Sequence, residues 1–233
     1  LPWVSVPLLY SKIKKDTKHV VLKDNKRHIA HFINQKKKYN IDVNINKIGE
    51  STFGYQEAAQ QFNHYKALIL DPKVHTISIK LSSIYPHVSS LNFDDAKKKL
   101  VKKLHDLFTL CRRCLIPNTF GELTSKLIML DMEHYELLPL TISVFKESLS
   151  SPEFKNVSAG IVLQAYLPDS FLIQKDLTEW AEHHVKNHGR PIHIRLVKGA
   201  NLNLETVISS LNNWPTPTFN SKLEVDANYK KMM

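Results

Sequence analysis

The chain has 233 residues, 42% hydrophobic and 23% charged, with a formal net charge of +10. That balance suits a globular protein with a buried core. Six Gly and eleven Pro exclude a low-complexity linker, and no apolar run nears the roughly 20 residues of a membrane span.

The opening LPWVSVPLLY is apolar but lacks the charged start and cleavage site of a signal peptide. It begins with Leu, as expected of a chain cut from something longer. Residues 1–47 hold eleven Lys or Arg against three Asp, a net +8, which leaves the remainder near +2. Residues 1–40 therefore read as a basic, mainly helical segment. Its lysines form a solvated face, with peripheral contact to an anionic membrane surface as the alternative. A nucleic-acid partner is not expected.

From residue 41 to 233 the sequence alternates. IDVNINKIGE (41–50) reads as a strand and YQEAAQQFNHYKALIL (55–70) as a helix. TISIKLSSI (76–84) reads as a strand. FDDAKKKLVKKLHDLFTLCRRC (93–114) follows as a helix, with Asn92 as N-cap and Leu100, Leu104, Leu107 and Leu110 on its apolar face. KLIMLDME (126–133) is strand-like and LLPLTISVFKESL (137–149) helical. SAGIVLQAYL (158–167) reads as a strand, then SFLIQKDLTEWAEHHVKNHG (170–189) as a helix with Gly189 at C′. PIHIRLVKGA (191–200) is the fifth strand and LNLETVISSLNN (202–213) the fifth helix.

Five strand–helix units with Ile-, Leu- and Val-rich strands imply a parallel sheet covered by helices. No GxGxxG loop follows any strand, which removes the best signal for a dinucleotide-binding open sheet. Each strand instead ends in polar groups: Glu50; Lys80, Ser82 and Ser83; Asp131 and Glu133; Gln164 and Tyr166; Arg195 and Lys198. Functional groups at the carboxyl ends of successive parallel strands mark a (β/α)8 TIM-type barrel. The chain holds about five of its eight units, so the barrel is incomplete here.

A buried Arg195 is costly without a partner. Converging strand ends offer Asp131, with Lys80 nearby, as an electrostatic unit; a structural ion-pair plug is the bland alternative. Cys111 and Cys114 form CRRC at the end of a helical pattern, whereas a redox CxxC needs a helix start, so they read as reduced thiols. His183, His184 and His188 lack the HExxH pattern and sit in a last helical turn, where cations complement the dipole. No metal site is expected.

INKIGE, SIKLSSIYP, LIMLDMEHYE, SAGIVLQAYLPDSF, IRLVKGANLNLE and SKLEVDANYKKMM, in this order over residues 45–233, resemble the L-proline dehydrogenase family. The likeness is to the barrel domain of the bifunctional proline utilization A proteins. The resemblance implies an FAD enzyme that oxidises L-proline to Δ1-pyrroline-5-carboxylate by hydride transfer to the flavin, the first step of proline catabolism. It implies a membrane quinone as electron acceptor, and a cytoplasmic protein peripheral at the inner membrane face. Carried over residue by residue, Lys80 holds the substrate carboxylate and Asp131 organises the pocket beneath the flavin. Gln164 and Arg195 contact the isoalloxazine, and Lys198, Gly199 and Ala200 lie along the cofactor. Two departures stand out: three further strands and a final helix with two arginines have no counterpart before Met233, and Asn201 follows KGA where some relatives carry an aromatic residue. Two other readings remain: an imine-forming aldolase using a desolvated Lys80 or Lys198, and a non-catalytic binding module.

Overall fold

The computed structural model describes residues 2–17, 21–22, 25–47, 52, 54–117 and 121–233. They form two compact units, Leu1–Val43 and Asn44–Met233. The first contains α1 (Pro2–Thr17) and α2 (Lys26–Lys37). The side chain of Asn25 caps α2 by accepting from the Arg27 N–H at 2.9 Å, which satisfies one of the orphan donors of the first turn.

In the second unit, β1 (Asn44–Asn46) is followed by α3 (Tyr55–Leu70), β2 (Thr76–Ile79) and a single turn, α4 (Leu81–Ile84). A 3-10 turn at Ser90–Asn92 leads into α5 (Phe93–Arg113). A two-residue hairpin, β3 (Ile116–Pro117) with β4 (Leu123–Thr124), precedes β5 (Leu127–Leu130). Then come α6 (Leu138–Ser150), β6 (Ala159–Gln164), α7 (Ser170–Lys186), β7 (His193–Val197), α8 (Leu202–Asn212) and α9 (Lys222–Met232).

The five longer strands form one parallel sheet in the order β1-β2-β5-β6-β7. Strand order follows chain order, as successive right-handed βα units require. Asn46, Ser78, Met129, Gly160 and His193 stand in register across it. Alternation along each strand turns Ile77, Ile79, Ile128, Leu130, Ile161 and Leu163 to the opposite face, where each is at most 1% exposed. Phe62, Tyr65, Leu68 and Ile69 of α3, Leu100, Leu104 and Leu107 of α5 and Leu140, Val144 and Phe145 of α6 are buried in the same core. The result is an α/β architecture of TIM-barrel type with a five-stranded parallel sheet among the described residues, as the alternating sequence implies.

Several boundaries differ from the sequence reading, each for a local reason. The second strand stops at Ile79: the Ser83 hydroxyl and N–H both donate to the Lys80 carbonyl, and such side-chain-to-backbone bonds favour a turn over an extended chain. Ser82 and Ser83 therefore leave the strand face. Asn92 holds the N-cap position of α5, as read, but its side chain accepts no cap bond; Ser89 caps the preceding 3-10 turn by accepting from Leu91 N–H at 3.2 Å. Leu110 lies at the margin of the core, and Phe108 and Cys111 take the buried positions. The left-handed residue after α7 is His188 at φ 63°, one before Gly189. Gly189 is needed for space: a β-carbon there would lie 2.3 Å from the His184 ring. The Glu50 reading lies outside the described residues.

Candidate active site at the carboxyl ends of the strands

Asp131 follows β5 directly, and its N–H donates to the Ile79 carbonyl at 2.9 Å. That bond keeps the chain extended and turns the carboxylate to the face of Met129. The side chain is 8% exposed, so both oxygens need partners. The Asn46 amide donates to Oδ2 at 2.8 Å, and the Arg195 Nη2 donates to Oδ1 at 2.5 Å. Arg195 reaches across β6 from β7, and its Nη1 donates to the Ser78 hydroxyl at 3.3 Å. Asn44 donates to the same hydroxyl oxygen at 2.9 Å, using both lone pairs. Four of the five strands of the parallel sheet thus meet at one charge pair, in which the Arg195 side chain stays 38% exposed.

One turn further up, Glu133 accepts the Ser82 N–H at 3.0 Å and the Ser82 hydroxyl in a short hydrogen bond. Its backbone carbonyl accepts from Gln164 Nε2 at 3.1 Å. Gln164 is 3% exposed, and its other amide atom, Oε1, has no hydrogen-bond partner. It stands at the end of β6, one pleat beyond Val162, the register partner of Arg195. A buried acceptor without a donor costs about 1–3 kcal/mol. One setting for such a group is a site where a ligand supplies the missing donor; Gln174 Oε1 of α7, away from the strand ends, lacks a partner too.

Lys80 is half-buried, directly after β2 at the start of α4. Lys198 is exposed, paired with Asp226 of α9 at 2.5 Å and 5.8 Å from the Tyr229 ring centroid. It is not the desolvated amine that an imine-forming aldolase requires. Gly199 has φ +127°, and a β-carbon there would meet the Tyr166 ring at 2.4 Å. Ala200 is exposed beside it. Asn44, Asn46 and Glu205 were not singled out from sequence. The asparagines carried a signal, since N-I-N puts two amides on one strand face.

Buried His184 meets the Lys155 carbonyl at 3.1 Å and stacks on Trp180 at 5.0 Å. No group of three or more potential ligands occurs among the described residues. Cys111 and Cys114 are unbridged, and burial pushes the Cys111 thiol up to about 12.

A parallel βα sheet with a charge pair and an orphaned acceptor at its carboxyl ends is the architecture of a TIM-barrel-class domain. The profile of the proline dehydrogenase family matches residues 29–233; the chain belongs to that family. Among solved structures, proline utilization A from Corynebacterium freiburgense is 33% identical with a TM-score of 0.86, over 96% of this chain and 22% of its own. Proline utilization A from Bdellovibrio bacteriovorus, inactivated by N-propargylglycine, is 31% identical with a TM-score of 0.75, over 86% of this chain and 22% of its own. The Bradyrhizobium japonicum protein, at 23% identity and a TM-score of 0.68 over 80% of this chain and 19% of its own, shares the fold. The chain thus spans about a fifth of the length of these relatives. No curated protein matches the sequence.

Proposed function

We propose that this domain binds FAD and oxidises L-proline to Δ1-pyrroline-5-carboxylate. The observation that carries the reading is the buried, unpartnered Gln164 Oε1, near the Arg195–Asp131 pair in a chain of this family. That acceptor suits a flavin ring N–H, and the donor set suits a ring that gains negative charge. When bound, the flavin supplies the two-electron acceptor for a hydride leaving proline.

The chain's own residues do the rest. Asp131 and Ser78 fix the Arg195 guanidinium before any ligand arrives. A preorganised cation beside an acceptor that becomes anionic favours the charged state without reorganisation. Lys80 orients the carboxylate of the amino acid through a charge-assisted hydrogen bond. Lys198, Gly199 and Ala200 line the cofactor's edge, where the missing side chain at 199 lets the backbone come close.

Electrons pass on to a membrane quinone, reached from the cytoplasmic side by a peripheral contact. In support, the basic N-terminal unit suits an anionic surface.

The deciding measurement is a visible spectrum of the purified protein after FAD addition and removal of excess. A retained flavin band that bleaches with L-proline supports the reading. A full-length protein that stays colourless, or a bound flavin indifferent to proline, overturns it.

A further inference from the structure

Glu205 lies in the first turn of α8 and is 3% exposed. An acidic residue there ordinarily faces water and complements the helix dipole, and burying a carboxylate is expensive. Its Oε1 accepts two hydrogen bonds, from the Tyr135 N–H at 2.7 Å and the Tyr166 hydroxyl at 3.4 Å. Both donors are neutral, so Glu205 is not half of an ion pair with them. They lie in two other loops: Tyr135 closes the segment after β5 that carries Asp131 and Glu133, and Tyr166 closes β6 just beyond Gln164.

The Tyr166 N–H donates to the Lys198 carbonyl at 2.8 Å, and its ring packs against Gly199. The Tyr135 hydroxyl donates to Asp169, at the start of α7, at 2.8 Å. Glu205 therefore joins the loops after β5, β6 and β7, the three that present Asp131, the open Gln164 acceptor and residues 198–200. Burial and the nearby Glu205 both push the Tyr166 hydroxyl well above its ordinary value, so this tyrosine keeps its proton and remains a donor.

We propose that Glu205 is a positioning residue for the cofactor site, holding these three loops in the spacing that lets one planar ligand meet groups from all of them. It touches none of the reacting atoms. The inference rests on the flavin reading above.

The test compares wild type with Glu205→Ala and Glu205→Gln in the full-length protein. Three quantities are read: the dissociation constant for FAD, the reduction potential of the bound flavin, and amide exchange in residues 131–135 and 198–201 of the ligand-free protein. Removing a group that orients a metal ligand typically costs about 10–100-fold, and the same scale is taken for a residue that orients an organic cofactor's site. Glu205→Ala is expected to weaken FAD at least about tenfold, shift the potential and speed exchange in both loops together. Glu205→Gln keeps a carbonyl acceptor for both donors and is expected to stay within about threefold of wild type. A carboxylate that only supports the fold would lower the melting temperature and leave FAD affinity, potential and exchange of the folded protein unchanged. That result overturns the proposal. Wild-type protein that takes up no FAD overturns the flavin reading and the positioning role with it, and is recognised because the control fails before any variant is compared. If Glu205→Ala does not fold, Glu205→Gln with Tyr166→Phe decides: exchange and FAD affinity unchanged in both the double and the Tyr166→Phe single variant overturn the proposal, whereas loosening together support it.

Discussion

The Tyr166 ring lies so close beneath Gly199 that a β-carbon on residue 199 would sit 2.4 Å from it. The glycine also holds φ +127°, a region that L side chains rarely adopt. Both constraints act on the loop proposed to follow the cofactor. Gly199→Ala must therefore displace either a buried aromatic ring or the loop. The expected cost is about 1–3 kcal/mol of stability, together with weaker FAD retention. Chemical denaturation and FAD titration of the same variant check both, and a variant with wild-type values would show that the loop adjusts freely.

Arg195→Met removes the guanidinium that meets Asp131 and Ser78 and leaves a carboxylate side chain that is 8% exposed with only Asn46. Stranding a buried charge costs about 3–5 kcal/mol. Because the Arg195 side chain is 38% exposed, solvent already screens the pair, and about 1–3 kcal/mol is expected here. The double variant Arg195→Met with Asp131→Asn should recover part of that stability, since no buried anion remains. Turnover with L-proline should stay depressed in both. Denaturant midpoints and steady-state rates separate the two effects. Recovery of turnover along with stability would mean that Arg195 serves the fold alone.

Much of this site can be read from the sequence because strand ends are local features. LIMLD and HIRLV place Asp131 at its strand end and Arg195 within its strand by alternation alone, and the expected pairing forms. Arg195 is less buried than expected, its side chain 38% exposed, and Asp131 is the buried partner. Other parts cannot be read that way. TISIKLSSI has strand composition to its end, and the turn after Ile79 depends on two hydrogen bonds from Ser83 to the Lys80 carbonyl. Glu205 sits in a helical pattern like any first-turn acid; its role comes from Tyr135, 70 residues away in sequence, and Tyr166. Lys198 directly follows β7, the strand-end cation the sequence indicates. It is drawn to Asp226 because Ser221 and Glu224 form a reciprocal capping box that begins α9, and that S-x-x-E signal was present in the sequence. Asn228 of α9 then donates to the Ala165 and Leu167 carbonyls at 2.8 and 3.2 Å, fixing the helix over the end of β6.

The CRRC pair gives a chemical prediction. Burial pushes the Cys111 thiol up to about 12, and it is 0% exposed within α5, whereas Cys114 is partly exposed at the helix end. Reaction requires the thiolate and access to it. Native protein at pH 8 should therefore show one fast thiol toward a disulfide reagent, and Cys114→Ser should show none until denatured. Two equally fast thiols would contradict the burial of Cys111.

Acid should weaken the fold through His184. Its ring is buried against Trp180 and beside the Lys155 carbonyl, and desolvation lowers its pKa below the ordinary 6.5. The neutral ring is thus the native form, while the unfolded chain takes up a proton near pH 6.5. As pH falls through that value the unfolded state binds more protons than the native state, so stability falls. The loss ends once pH passes below the folded-state pKa, where both states are charged. Above about pH 7.5 the contribution is fully present. His193 is exposed; partial desolvation and the nearby Arg190 lower its pKa as well, which adds in the same direction. The melting temperature of the protein should therefore drop between pH 7.5 and 5.5. His184→Phe, which retains the stacking surface without a titrating group, should flatten part of that slope while losing stability at pH 7.5 from the bond to Lys155. A slope equal to wild type in His184→Phe would place the acid sensitivity elsewhere.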